Sequence, residues 1–274
     1  MSSQAYHRSD DADVYRKNAS FVYSDEYSAP VLKLLDPEPG DKILDLGCGS
    51  GELTCKLASA VGPRGLVFGQ DASEDMIKKA NASIDVDADG TPKFEVRDAQ
   101  DPIAQGQRGQ FDKVFSNAAL HWMKRSPSSV VQNVYSSLRP GGSFAAEMGG
   151  FMNCVGVRSH LHLALSRRGV DPAPLDPWFF PTAAEYTKLL QEAGFTVETC
   201  ELVPRLTPLP KESGLKGWLS TFAGPFLNAF DSQEEREEVV AEVEDALRSD
   251  AYDASTGTWS VMYVRLRFLA VKPK

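Results

Sequence analysis

The sequence is poor in cysteine and histidine and has no excess of positive charge. Its four cysteines, Cys48, Cys55, Cys154 and Cys200, include no C-x-x-C pair. Their wide spacing argues against a zinc site or a disulfide framework, and reduced, mostly buried thiols are expected. His160 and His162 have the spacing of a strand rather than of a helical metal pair, and no carboxylate accompanies them, so no metal is assigned. The 29 basic residues are outnumbered by 38 acidic ones, for a net charge of −9. A broad basic face for nucleic acid is therefore not expected. No run of 18 apolar residues exists to span a membrane. The opening MSSQAYHRSDDADVYRK has no apolar core of the secretory kind, so a cytoplasmic protein is expected. Internal repeats and low-complexity tracts are also missing. What remains is 274 residues at 42% apolar content, enough for one sizeable core or one core with insertions.

From residue 41 to about 150, strand-like and helix-like segments alternate. KILDLG (42–47), GLVFGQD (65–71), PKFEVRD (92–98), FDKVFSN (111–117) and SFAAEM (143–148) read as strands. GELTCKLASAVG (51–62) reads as a helix, and further helices follow a Ser73 cap with Glu74 and Asp75 behind it and Ser126-Pro127, the last stopped by LRPGG (138–142). This alternation predicts a mostly parallel sheet covered on both faces. Further on, Thr182/Glu185 and Ser232/Glu235 form capping boxes. TWSVMYVRLRFLAV (258–271) alternates as a long final strand that follows no clear parallel crossover, and so is a candidate antiparallel strand. Residues 1–40 are expected to form an N-terminal helical cap segment. Residues 41–274 form the main domain, with cap insertions at about 151–181 and 205–257.

Three glycines alternate in LDLGCGSG, between the first strand and its helix. Glycine allows positive φ and close approach of a ligand to the backbone, and the helix N-terminus adds unpaired N–H groups. Gly47-x-Gly49-x-Gly51 departs from the dinucleotide spacing G-x-G-x-x-G. Asp71 closes the second strand 20 residues after Gly51, the position from which a carboxylate accepts ribose hydroxyls. Asp98 closes the third strand, where it is placed to accept from an exocyclic amine.

LDLGCGSG, GQDAS, VRDAQD, SNAALHW and LRPGG, in that order and spacing, resemble the class I S-adenosylmethionine-dependent methyltransferase family over about residues 40–150. SNAALHWM (116–123) is similar to the subgroup of trans-aconitate, malonyl-carrier-protein and juvenile hormone acid methyltransferases, which methylate carboxylates. The resemblance implies a Rossmann-like, doubly wound, seven-stranded α/β sheet, mostly parallel, with an antiparallel last strand between the fifth and sixth, plus helical cap insertions. It implies S-adenosyl-L-methionine as cofactor. Asp45, Gly47 and Gly49 would line its methionine part, Asp71 and Ala72 its ribose, Asp98 and Ala99 its adenine, and Asn117 would lie beneath it.

Methyl transfer from a sulfonium is an in-line displacement that depends mainly on alignment. His121 is the leading catalytic candidate, as a base or as an orienting group. Tyr23, Trp122, Glu147, Trp178 and Trp218 are candidate acceptor-binding residues, with Tyr15, Phe179, Phe180 and Phe222 as further aromatics of a water-excluding lid. Glu147 would meet either substrate or a backbone N–H. Arg265 and Arg267 would bind an acidic acceptor or else mark a solvated strand face. The expected activity is methylation of a small molecule, favoured at a carboxylate oxygen, with a thiol, hydroxyl or amine next. A nicotinamide-dependent oxidoreductase, or a protein that holds the cofactor without turnover, are the readings from other classes. Nothing in the pattern specifies an oligomeric state.

Overall fold

The computed structural model describes residues 25–84 and 90–274. The described chain opens with α1 (Asp25–Leu35), β1 (Lys42–Leu46), α2 (Glu52–Val61), β2 (Leu66–Asp71), α3 (Glu74–Ala82) and β3 (Lys93–Val96). It continues through β4 (Phe111–Asn117), α4 (Pro127–Ser137), β5 (Leu138–Gly149), α5 (Val155–Arg167), α6 (Ala183–Glu192) and β6 (Thr196–Pro208). It ends with α7 (Gly214–Phe222), α8 (Gly224–Leu227), α9 (Gln233–Ala251), β7 (Tyr252–Asp253) and β8 (Thr258–Val271). Side-chain caps set several helix starts. Ser73 Oγ accepts from the Met76 N–H, Thr182 and Glu185 cap each other reciprocally, and Ser232 Oγ accepts from the Glu235 N–H.

The strands form one sheet in the order β3-β2-β1-β4-β5-β8-β6. Neighbours from β3 to β5 are parallel, and β8 runs antiparallel to both β5 and β6. The seven-stranded path with its inserted antiparallel strand is the expected fold, and β7 adds an eighth, two-residue strand paired to β8. Alternation decides which side chains go where. On one face, Phe144, Ala146 and Met148 of β5 join Leu266, Phe268 and Ala270 of β8 in a core with Val130, Val134 and Leu190 from α4 and α6. On the opposite face Val31 and Leu35 of α1 pack with Leu53 and Leu57 of α2 over Ile43 and Phe115. A third core lies apart from these. It gathers Leu161 and Leu165 of α5, Trp218 of α7, Phe226 of α8, Val239 and Val243 of α9, and Trp178, Trp259 and Tyr263. This layer draws on residues of 151–181 and 205–257 together with Trp259, Val261 and Tyr263 of β8.

Two local expectations are corrected. His160 and His162 lie on a helix, α5, and not on a strand. The alternating V-x-V and L-x-L-x-L imitate a strand, but Val157, Leu161, Ala164 and Leu165 are the buried set, which is helical spacing. LRPGG does end α4, yet it belongs to β5, whose ladder with β4 resumes after a register shift between Phe111 and Lys113. No helix among the described residues is long and apolar enough to cross a membrane.

Candidate active site

Strand order reverses between β1 and β4, so the loops after their C-terminal ends diverge and leave a crevice, the usual ligand position of such sheets. The loop after β1 holds Gly47, Gly49 and Gly51 at φ +74°, +56° and +87°. A Cβ on Gly47 would fall 2.2 Å from Ala119 Cβ, and one on Gly51 would fall 2.7 Å from the Phe94 ring. These two glycines are thus required by the protein's own packing, whatever else approaches the loop. Asp71 fastens the loop to β2, accepting from the Gly49 N–H at 3.0 Å and from the Ser73 N–H at 2.9 Å. Burial raises its carboxyl above the ordinary carboxylate range, and those backbone donors offset part of the rise. Beneath the loop, Asp45 is buried and accepts from Thr54 Oγ1 at 2.6 Å. Burial pushes its carboxyl up to about 7, with the Thr54 bond opposing and the Asp71 charge adding. Ala72 follows Asp71 at the end of β2. Asp98 follows β3, bound by the Gln100 N–H at 2.9 Å and by Arg125 at 3.2 Å. Ala99 next to it borders a cavity of about 270 Å3 shared with Gln70, Ile103 and Asn133. Asn117 is the last residue of β4.

A larger cavity, about 430 Å3 counting its mouth, opens beyond β4. Its aromatic wall is His121, Trp122, Trp178, Phe180, Trp218 and Phe222. Trp178 and Phe180 stack with centroids 5.7 Å apart, and the Phe179 N–H donates to the His121 carbonyl at 2.9 Å, which ties the two segments together. Ala118, Asn153, Cys154, Tyr263 and Arg265 complete the lining. Ala118 and Cys154 sit at φ +56° and +50°, a left-handed conformation costly for residues with a Cβ and concentrated at functional sites. His121 stands in a short 3-10 turn (Leu120–Trp122), and its Nδ1 accepts from the Gly149 N–H at 3.2 Å. Tyr263 hydroxyl accepts from Trp218 Nε1 at 2.5 Å. Burial pushes the Cys154 thiol up to about 12.

Glu147 meets three guanidinium groups on the α1-facing side of the sheet. Arg267 binds Oε2 through Nε at 2.9 Å and Nη2 at 2.7 Å, Arg265 binds Oε1 through Nε at 3.2 Å, and Arg205 reaches Oε1 at 3.4 Å. Arg265 is only 5% exposed, so the strand face it marks is buried rather than solvated. Arg205 Nε is buried with no hydrogen-bond partner among the described residues, and its Cζ lies 4.2 Å from the Tyr27 ring centroid. Burial and then the neighbouring Arg265 charge lower the Arg205 pKa.

The structure therefore brings Asp45, Gly47, Gly49, Asp71, Ala72, Asp98, Ala99 and Asn117 to the strand ends and the loops after them. It gathers His121, Trp122, Trp178 and Trp218 around one cavity, and turns Glu147 to the arginines. Tyr15 and Tyr23 lie outside the described residues. Ala118 lies within SNAALHWM without having been singled out there, and Asn153, Cys154 and Tyr263 carry no motif. Of those three, Tyr263 had a signal, the alternation that puts it on one face with Arg265 and Arg267.

A Rossmann-like sheet with a glycine loop at its switch point and an aromatic-walled cavity alongside defines an enzyme that pairs a nucleoside cofactor with a second reactant. A family model described as a methyltransferase domain matches residues 37–164. An uncharacterized methyltransferase of Schizosaccharomyces pombe is 37% identical over 94% of this chain and 96% of its own length. A trans-aconitate 2-methyltransferase of Deinococcus radiodurans is 37% identical over 46% of each chain. A phosphoethanolamine N-methyltransferase of Haemonchus contortus, solved with S-adenosyl-L-methionine, shares the fold at TM-score 0.56 and 20% identity, over 96% of this chain and 56% of its own. The chain belongs to the class I S-adenosylmethionine-dependent methyltransferases, and S-adenosyl-L-methionine is its cofactor. The residues present suit that group. The N-terminus of α2 lacks a side-chain cap at Gly51, and carboxylates close both β2 and the turn after β3.

Proposed function

We propose that the acceptor is a small organic acid, methylated on a carboxylate oxygen inside the aromatic cavity. The observation that carries this reading is the Gly149 N–H bond to His121 Nδ1. With Nδ1 accepting, the ring proton sits on Nε2, so the neutral imidazole is a donor on its other side. To act as a base, His121 would have to take a proton at Nδ1 and lose the backbone bond. No carboxylate is found among the described residues that line the cavity, and Cys154 keeps its proton at neutral pH. Among the described residues, a cavity so equipped has no general base to offer. A carboxylate, with an ordinary pKa of about 4, is already ionised and needs none, whereas a thiol near about 8.5 or a phenol near about 10 benefits from one.

S-adenosylmethionine, when bound, supplies a methyl group already activated by its positive sulfur. Asp45, Gly47 and Gly49 would hold its amino-acid end, Asp71 and Ala72 its ribose, and Asp98 and Ala99 its adenine, with Asn117 beneath. His121 Nε2–H orients the accepting oxygens. Trp122, Trp178 and Trp218 form walls that exclude water, and alignment then supplies most of the acceleration. The name of the Deinococcus relative, which contains an acid, agrees with this reading.

The test is transfer of labelled methyl from S-adenosylmethionine to a panel of carboxylic acids, thiols and phenols, with the product's ester, thioether or ether identified. Esters are expected, with kcat level between about pH 6 and 9 because no base titrates. Transfer to thiols or phenols alone, or a kcat limb near pH 7 that disappears in His121→Gln, would overturn the proposal.

A further inference from the structure

We propose that Asn153 selects the acceptor. Its side-chain amide N–H2 donates to the accepting oxygens and turns away acceptors that bring a proton of their own. This rests on the carboxylate reading above and names the residue that enforces it.

Asn153 lies between β5 and α5, is 3% exposed and borders the aromatic cavity. Its Oδ1 accepts from the Val264 N–H of β8 at 3.0 Å. A backbone N–H can only donate, so this bond fixes the oxygen end of the amide and makes the other end Nδ2. Nδ2 carries two N–H donors. Among the described residues it has one acceptor, Cys154 Sγ at 3.4 Å, and a thiol sulfur accepts weakly. A buried amide in this state gains from an acceptor that arrives through the cavity.

The backbone around Asn153 is strained. Met152 and Cys154, on either side of it, have φ +69° and +50°. Left-handed backbone is costly for residues with a Cβ and persists where other contacts impose it. Here Phe151 N–H donates to the Pro181 carbonyl, Asn153 N–H to Gly150 and Cys154 N–H to Met262. The Met152 side chain is 50% exposed, so its own burial is not what the strain serves. What the turn delivers is the Asn153 amide at the cavity wall. Gly149 leaves room for it, since a Cβ there would fall 2.9 Å from Asn153 Nδ2 and would also strike the Phe180 ring. The same Gly149 gives its N–H to His121 Nδ1, so the amide and the imidazole both lie against one residue.

As a carboxylate oxygen forms its bond to the methyl carbon, the carbon–sulfur bond breaks and its electron pair leaves on sulfur. No proton moves. A carboxylate accepts hydrogen bonds and donates none, so a site that offers donors satisfies it fully. A hydroxyl or thiol has a proton that must be taken up as the bond forms, and an amide nitrogen takes none. A neutral carboxamide of the same shape would set its own N–H2 against that of Asn153 and leave buried donors unmet. The amide is also neutral. It gives up less than a cation would when the acceptor's charge disappears in the transition state.

The test uses the full chain loaded with S-adenosylhomocysteine. Phenylacetate and phenylacetamide, alike in shape, are titrated calorimetrically. Phenylacetate, para-cresol and thiophenol are offered for labelled methyl transfer. The acid should bind about 10- to 100-fold more tightly than the amide, the range of a hydrogen bond to a charged group. Asn153→Asp keeps the oxygen that accepts from Val264 and exchanges the donor for a second acceptor. The preference should then turn to the amide, and kcat/KM for the acid should fall about 10- to 100-fold. Asn153→Ala removes both ends and should bring the ratio close to one. Unchanged affinity for S-adenosylhomocysteine marks each variant as folded. A merely structural role, through the Val264 bond alone, predicts that the Asp variant keeps the wild-type ratio. That result, equal affinity for acid and amide in the wild-type chain, or no binding of either would overturn the inference. Methylation of phenylacetate by the wild type and the Asp variant alike would remove this inference and leave the carboxylate reading standing, while transfer to the phenol or the thiol alone would remove both.

Discussion

Replacing Asp45 by Asn is expected to stabilise the protein at alkaline pH. Asp45 is 2% exposed at the end of β1, and its carboxyl is raised from 3.8 to about 7 by burial. Below about pH 4 both the folded and the unfolded chain hold the proton, and the group makes no difference. Between about pH 4 and 7 the unfolded chain has released it while the folded chain retains it. The unfolded state then binds fewer protons, so stability falls as pH rises through this window. Above about pH 7 the full penalty is present, and a rise of about 3 units corresponds to roughly 4 kcal/mol. Asn keeps the shape and still accepts from Thr54 Oγ1, which lies 2.6 Å from the carboxylate oxygen. It brings an amide N–H2 whose burial offsets about 1–2 kcal/mol. The net expectation at pH 8 is a variant about 2–3 kcal/mol more stable than the wild type, the gap closing towards pH 4. Urea denaturation of both proteins at pH 4, 6 and 8, without cofactor, measures this directly. A variant equal to or weaker than the wild type at pH 8 would refute the argument, because it would mean that Asp45 is ionised at little cost in the folded chain.

Asp71→Ala should weaken S-adenosylhomocysteine binding by about 1–3 kcal/mol, since it removes charge-assisted bonds and releases the Gly49 N–H; calorimetric titration checks this, and unchanged affinity would rule out the ribose role. Gly47→Ala should lose about 2–5 kcal/mol of stability from left-handed strain and overpacking against Ala119, and Gly40→Ala, at φ +94° with nothing within 4 Å of the new Cβ, only the strain of about 1–2 kcal/mol. Comparable urea midpoints for the two would contradict the crowding. Asp176→Asn should loosen the aromatic layer by about 2–3 kcal/mol, because the 3%-exposed carboxylate holds Arg158 at 2.6 Å, His162 at 2.9 Å and the Trp178 N–H at 3.1 Å. A red shift in tryptophan fluorescence at lower denaturant should accompany it, and an unchanged emission transition would count against that anchor.

The half of the chain up to residue 150 was legible because local pattern and tertiary role coincide there. Strands buried on both faces need unbroken apolar runs, helices between them need caps, and a left-handed loop needs glycine, so KILDLGCGSG displays its fold in its letters. The carboxylates at the strand ends follow from the same register, and the long alternation of 258–271 announced an antiparallel strand. The later half was less legible because its elements take their meaning from partners far away in sequence. The apolar spacing of α5 imitated a strand until its packing against α9 and Trp178 selected the helical face. Gly47 and Gly51 looked like room for a ligand, and it took Ala119 and Phe94 to show that the chain itself fills the space. Sequence alone determined the sheet and the glycine loop, since these rest on contacts between neighbours in the chain or on adjacent strands, and the cofactor followed from the resemblance its motifs carry. Only the tertiary structure decided that Arg265 is buried beside the cavity, that Glu147 is held by three arginines, and that His121 Nδ1 accepts from the Gly149 N–H. Each depends on strands and turns brought together across 28 to 120 residues of chain, and no local spacing records which group will lie opposite another at that distance.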